Sequence, residues 1–196
     1  MAPAYDRQWS RYIDATVNAT LRRLPALASG QQVLDVGCGT GALLEALAQR
    51  HPRVSLSGAD PVGSMLDVAR QRLPESVGLY QAPADSLPFG TGQFDVLVST
   101  SAFHYFEHPR AAVAEMHRVL KPNGRLVITD WCRDYLSMRL LGAWLRLTRR
   151  PFQHIYCGQE LQHLLSQSAF ADVRVRRYRI DRLWGMMTVT GTARSQ

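Results

Sequence analysis

The chain predicts an α/β fold in which seven strands form a doubly wound, mostly parallel sheet with helices on both faces. Three observations predict it. Apolar runs of strand length alternate with amphipathic stretches of helical length along all 196 residues, the pattern of strands and helices packed in layers. The run Val33 to Val36 leads into Gly37-Cys38-Gly39-Thr40-Gly41 and then a helix from Ala42, a strand, glycine turn and helix in succession. A second run, Val54 to Ala59, ends on Asp60, where such a sheet presents side chains to a ligand.

Taken in order, the first helix is expected over 5–24, where Tyr5, Trp9, Tyr12 and Ile13 recur at helical spacing as an aromatic stripe. Strand one follows at 32–36 and a helix at 41–50. Strand two at 53–59, a helix at 62–72, strand three at 77–81 and strand four at 93–99 repeat the alternation. A helix over 109–120 opens on Pro109, which suits a first helical turn and disfavours helix in the residue before it. Strand five at 124–130, helices at 134–148 and 158–167, and strands at 171–180 and 183–190 complete the set. No repeat, low-complexity run or linker interrupts them, so 1–196 is read as one domain. Within it, 1–30 forms an N-terminal helical cap and 131–157 a helical insertion on the acceptor side.

Composition narrows the function classes. The first twenty residues carry Asp6, Arg7, Arg11 and Asp14 with no continuous apolar run, so no signal peptide or membrane span is expected and the protein is placed in the cytoplasm. Cys38, Cys132 and Cys157 are odd in number and lack metal-ligand spacing, which suits free thiols; no metal site is expected. The formal charge is +7, with Lys121 the single lysine among 23 basic residues. That balance favours an anionic partner, whether an acidic metabolite, a membrane surface or nucleic acid.

The glycine turn has two readings, and its acids separate them. Dinucleotide loops follow G-x-G-x-x-G and seat a pyrophosphate on the helix N-terminus. Here the pattern is G-x-G-x-G with Asp35 two residues ahead. That carboxylate repels a pyrophosphate and attracts a ligand bearing sulfonium and ammonium charge. Asp60 can then accept hydrogen bonds from a ribose diol. The pair points to S-adenosylmethionine, with S-adenosylhomocysteine as product. An ordinary tight turn and a helix-capping aspartate are the plain alternatives.

These residues carry a family resemblance that covers nearly the whole chain. Besides the glycine loop, the blocks Gly58-Ala59-Asp60-Pro61-Val62-Gly63-Ser64-Met65-Leu66, Ala84-Asp85-Ser86-Leu87-Pro88-Phe89, Phe94 to Phe106 and Arg118 to Ile128 stand in the right order. The sequence resembles the class I, seven-stranded S-adenosylmethionine-dependent methyltransferases, in particular the small-molecule branch that includes quinone-biosynthesis enzymes. The resemblance implies strand order 3-2-1-4-5-7-6 with the last strand antiparallel and a ligand where strands one and four part. It further implies that Asp35, Gly37, Cys38, Gly39 and Gly41 hold the methionine end and Asp60 the ribose. Pro61 and Met65 would pack on the adenine, Ala84 and Asp85 would meet its edge, and Ser99 would reach the methionine end through its backbone. Asp85 has a plain alternative as a cap on the turn at Ser86-Leu87-Pro88.

Methyl transfer is an in-line displacement, so alignment of the acceptor and removal of its proton are the protein's tasks. His104, just past strand four, is the candidate base, with a loop hydrogen bond as its plain alternative. His108 would pair with it around a metal only on a continuous helix, which Pro109 disfavours, and His117 is expected on the surface. The stripe of Tyr5, Trp9, Tyr12 and Ile13 forms either a lid over the open cofactor pocket or a plain docking face, with both readings open for Tyr5 and Trp9. From Trp131 to Leu147, apolar residues interleave with arginines that continue to Arg149 and Arg150. This basic amphipathic stretch lines an acceptor cavity, makes peripheral membrane or lipid contact through 131–150, or simply has one solvated face.

A nucleic-acid acceptor is disfavoured. Strand four continues as Ser99-Thr100-Ser101-Ala102 rather than an Asn/Asp-Pro-Pro-aromatic turn, no cysteine follows a proline, and a single lysine leaves the lysine-containing ribose-methylating tetrad incomplete. The favoured reading is methyl transfer to oxygen, carbon or nitrogen of an aromatic, quinone-like or lipid-like small molecule. A non-catalytic cofactor-binding module, an RNA or protein methyltransferase and a dinucleotide oxidoreductase are the alternatives, and oligomeric state is left open.

Overall fold

The computed structural model describes residues 2–148 and 153–195, with side chains from Trp9 onward in the first helix. In chain order the elements are α1 (Ala2–Leu21), β1 (Gln32–Val36), α2 (Ala42–Arg50), β2 (Ser55–Asp60), α3 (Gly63–Arg72), β3 (Gly78–Gln81) and β4 (Phe94–Thr100). A 3₁₀ turn at Phe103–Tyr105 precedes α4 (Pro109–Val119), β5 (Leu120–Trp131), α5 (Leu136–Leu147), α6 (Gly158–Gln167), β6 (Phe170–Arg179) and β7 (Gly185–Ala193).

The seven strands form one sheet in the order β3-β2-β1-β4-β5-β7-β6. Pairings from β3 through β5 are parallel, and β7 runs antiparallel to both neighbours. Central parallel strands are covered on both faces and so read as continuous apolar runs. Period two then sorts the side chains. Val33, Val96 and Val98 pack with Leu43, Leu47 and Leu66 of α2 and α3. Leu34, Val36 and Leu97 face the other way, against Val113 and Met116 of α4 and Leu161 and Leu165 of α6.

Several boundaries differ from the sequence reading for physical reasons. Strand five starts at Leu120, not 124, because Leu120 already pairs with Phe94. The ladder then shifts register between Phe94 and Val96 and resumes at Arg125, with Asn123 at φ 64° in between. Strand β7 starts at Gly185 because the amides of Leu183 and Trp184 are turned onto Asp181 Oδ1, at 2.8 and 2.7 Å, and form the β6–β7 turn.

Helix α1 is fixed to the sheet by hydroxyls as well as apolar contact. Thr20 Oγ1 lies 3.0 Å from Thr100 Oγ1 and 2.8 Å from Thr129 Oγ1, and Thr129 meets Thr188 at 3.0 Å. All four hydroxyls are thereby paired across α1, β4, β5 and β7, as burial requires. The C-terminal half of α1 is thus held against β4 and β5.

Candidate active site

The glycine loop after β1 is shaped by three residues at positive φ: Gly37 at 76°, Gly39 at 52° and Gly41 at 81°. The Gly37 and Cys38 amides donate to the Ala59 carbonyl at 2.7 and 3.2 Å, which ties the loop to β2. A Cβ on Gly37 would sit 2.3 Å from the Ala102 Cβ, so glycine is required by space as well as conformation. Gly39 has nothing within 4 Å of that position and leaves its backbone open to a ligand.

This loop forms the floor of a cavity of about 850 Å³ at the carboxyl ends of β1, β2 and β4, the switch point of the sheet. Asp35, Gly37, Cys38, Gly39, Asp60, Pro61, Met65, Ala84 and Asp85 all line it. Two of the expected cofactor-binding residues do not. Gly41 lies behind the loop, where a Cβ would meet Leu73 Cδ1 at 2.8 Å, and serves the entry into α2. Ser99 is fully buried within β4, and Thr100, Ser101 and Ala102 form the wall in its place.

The two acids at the floor are both buried. Burial, reinforced by the charge of Asp60, pushes the Asp35 carboxyl up to about 8, and its Oδ1 has no hydrogen-bond partner among the described residues. Asp60 accepts the Val62 amide on Oδ1 and the Gly39 amide on Oδ2, both at 2.9 Å. Burial nevertheless raises its pKa against those two bonds. It thus braces the entry to α3 and also faces the cavity. Cys38 is buried against Gly58, and burial beside both acids pushes its thiol well up, so it is packing rather than a nucleophile.

An unpaired buried carboxylate oxygen over a glycine floor fits a ligand with positive charge and rejects a pyrophosphate. The S-adenosylmethionine reading passes this test, and the dinucleotide reading does not.

His104 does not line the cavity. Its side chain is 3% exposed; Nδ1 donates to Asp130 Oδ1 at 2.6 Å, and its own amide donates to Asp130 Oδ2 at 2.9 Å. The ring stacks on Trp131, with centroids 3.8 Å apart and planes 12° apart. Its carbonyl accepts the amides of Gln153 and His154 at 2.9 and 3.2 Å. The expected base is therefore a buried clasp that joins the turn after β4, the end of β5 and the segment before α6. Aspartate at the end of β5 and tryptophan beside it out-compete the cavity for the imidazole.

Of the α1 stripe expected over the pocket, Tyr12 and Ile13 line the cavity; sequence reasoning missed Thr16, Val17, Ser101 and Tyr105, which complete its wall with His108. Ser101 holds φ 56°, a strained value for serine, while its Oγ lies 2.8 Å from the Tyr12 hydroxyl. Trp131 Nε1 donates to that same hydroxyl at 2.7 Å. Trp9 rests on Tyr12 and Trp184, at 6.3 and 6.0 Å between centroids, and does not line the cavity; the side chain of Tyr5 lies outside the described residues. No described residue of 131–157 lines the cavity either. Arg149 and Arg150 lie outside the described residues.

Residues 34–128 match the family model described as a methyltransferase domain. With the strand order and the glycine-loop site, this defines the class: the chain belongs to the seven-stranded, Rossmann-like S-adenosylmethionine-dependent methyltransferases. More particularly, it is similar to demethylmenaquinone methyltransferase of Deinococcus radiodurans, 35% identical over 162 residues that make up 79% of this chain and 65% of that protein. It is also similar to malonyl-[acyl-carrier protein] O-methyltransferase of a Paenibacillus species, 30% identical over 172 residues, 69% of this chain and 60% of that protein. The chain spans less than two thirds of the length of either relative. Among solved structures, a chain of the complex between the Haloferax volcanii Trm112 methyltransferase activator and a methyltransferase superposes with a TM-score of 0.85. That superposition covers 98% of this chain and 95% of that one at 19% identity, a likeness of fold.

Proposed function

We infer that the protein is an enzyme that methylates a small-molecule acceptor, an aromatic, quinone-like or lipid-like compound, at oxygen, carbon or nitrogen. The observation that carries this reading is one cavity lined both by the glycine loop, Asp35 and Asp60 and by the polar side chains of Tyr12, Ser101, Tyr105 and His108. Its volume of about 850 Å³ lies toward the upper end of ligand pockets, roughly 300 to 1,000 Å³, and suits two molecules side by side. The name of the Deinococcus relative supports a quinone-like acceptor.

In this reading Asp35 and the loop from Gly37 to Thr40 hold the methionine end, Asp60 the ribose, and Pro61, Met65, Ala84 and Asp85 the adenine. S-adenosylmethionine, when bound, supplies a methyl group on positively charged sulfur that an acceptor lone pair can take in line. The chain's own residues then have to orient the acceptor and receive its proton. Tyr12, Ser101 and Tyr105 offer hydroxyls for orientation. His108 offers an imidazole on the cavity wall as the candidate acceptor of that proton. His104 acts behind them by fixing the turn that carries Tyr105. Residues of α1 cover the site, which suits an acceptor small enough to be enclosed.

The test is a methyl-transfer assay with a labelled donor against short-chain quinols, phenols and fatty acyl compounds, read by mass spectrometry. A product heavier by one methyl group with one of these acceptors supports the reading. Binding of S-adenosylhomocysteine with no transfer to any of them would replace the enzyme by a cofactor-binding module.

A further inference from the structure

Helix α5 turns large apolar side chains outward. Its inward face is narrow: Met138 and Gly142 are buried, the latter against Ile155. Leu136, Leu140, Trp144 and Leu147 point the other way and are 66, 64, 50 and 84% exposed. Spaced at i, i+4, i+8 and i+11, they form one continuous stripe along the helix. The other exposed large apolar residues among those described, such as Val62 and Tyr80, do not belong to such a row.

The surroundings of the stripe are basic. Arg139 and Arg146 run along one side of it, and α5 contains no acidic residue. Strands β5 and β6 each run antiparallel to β7, so the start of α5 and the β6–β7 turn lie at the same end of the sheet. Tyr135 joins them: it packs against Gly185 and lies under the Arg179 guanidinium, 4.7 Å from ring centroid to carbon. That turn adds exposed Leu183, 48% accessible, with exposed Arg179 and Arg182. Its acid, Asp181, is occupied by the amides of Leu183 and Trp184, and Asp134 is paired with Arg177 at 3.0 Å.

We propose that this face docks on an anionic lipid surface, with the leucines and Trp144 in the boundary between acyl chains and headgroups and the arginines on the phosphates. A second copy of the chain is a poorer occupant, since α5 would meet the same arginines with no carboxylate of its own to offset them. No helix among the described residues is long and apolar enough to cross a membrane, so the contact is in the plane of the surface. The face also lies at the end of the sheet that carries the cavity: Trp131, where β5 ends, donates to Tyr12 on the cavity wall. This inference stands whichever acceptor the cavity takes.

Co-sedimentation of the purified protein with phosphatidylcholine vesicles, with and without phosphatidylglycerol, tests it. The protein is expected to sediment with the anionic vesicles, to do so much less at high salt, and to ignore neutral ones. The double variants Leu140→Glu/Trp144→Glu and Arg139→Ala/Arg146→Ala should each lower partitioning by about tenfold or more. Both change exposed positions, and matching thermal unfolding curves establish that they fold. Absence of sedimentation with either vesicle, or equal sedimentation of the leucine–tryptophan variant, overturns the proposal. So does a dimer in sedimentation velocity that this variant dissolves while vesicle binding is absent, which would assign the face to a second copy.

Discussion

The Gly39 amide donates to Asp60 Oδ2 at 2.9 Å, so the loop after β1 and the acid at the end of β2 act as one unit. Neither is placed without the other. The bond fixes the open backbone of Gly39 and the direction of a carboxylate that still faces the cavity.

Asp60→Ala is therefore expected to weaken S-adenosylhomocysteine binding by about 1.5 to 3 kcal/mol, the scale of charge-assisted hydrogen bonds. It should also lower stability, because the Gly39 and Val62 amides lose their acceptor. Asp60→Asn keeps the side chain's shape and should retain more of both. Calorimetric titration with parallel thermal unfolding separates the two effects.

The Asp35 carboxyl titrates near 3.8 in the unfolded chain and near 8 when folded. Between those values the folded state keeps a proton that the unfolded state has released. Stability of the ligand-free protein should thus fall as pH rises from about 4 to about 8 and level off above, by proton linkage. A ligand ammonium favours the carboxylate, so affinity for S-adenosylhomocysteine should rise over the upper part of this window and proton release should accompany binding. Titration at pH 6 and pH 8 checks the direction, and Asp35→Asn should remove the difference. Tighter binding at pH 6 would contradict the assignment of a positive group to Asp35.

His104→Ala should cost about 3 kcal/mol of stability in denaturant unfolding, since it opens a cavity and leaves Asp130 buried without its partner. Cofactor affinity should change little. His108→Ala removes an exposed side chain, so stability should move by only about 0.5 kcal/mol, while turnover drops roughly 10²-fold if it receives the acceptor's proton. The reverse pattern, a stable His104 variant without turnover, would return the base to His104.

Gly37→Ala should abolish cofactor binding or folding. The new Cβ would lie 2.3 Å from Ala102 at a φ of 76°, and overpacking of this kind costs about 1 to 3 kcal/mol before backbone strain is added. Gly39→Ala meets no neighbour and bears only the strain of φ 52°, so it should fold while binding the cofactor more weakly. Comparison of the two by circular dichroism and calorimetry distinguishes a structural glycine from a ligand-facing one.

The part of the site built from adjacent residues was legible in the sequence. Asp35, Gly37 to Gly39 and Asp60 follow from strand ends and glycine spacing, and the sheet order came with the family resemblance. What the sequence concealed is what long separations bring together. Tyr12 and Ser101 are 89 residues apart and share a hydrogen bond, and no spacing rule relates them. His104 illustrates a second limit: its position past β4 was read correctly, but its direction depends on Asp130, 26 residues later. Helix α5 illustrates a third. Periodicity identifies an apolar stripe without saying what it faces, and here Leu136, Leu140 and Leu147 face outward.

The most direct test is calorimetric titration of the purified protein with S-adenosylhomocysteine, with NADH as the comparison ligand and Asp60→Ala as the control. The predicted result is micromolar binding of S-adenosylhomocysteine, about 10- to 150-fold weaker in the variant, and no binding of NADH. Absence of S-adenosylhomocysteine binding, or tighter binding of NADH, would contradict the assignment of the glycine-loop cavity to the methyl donor.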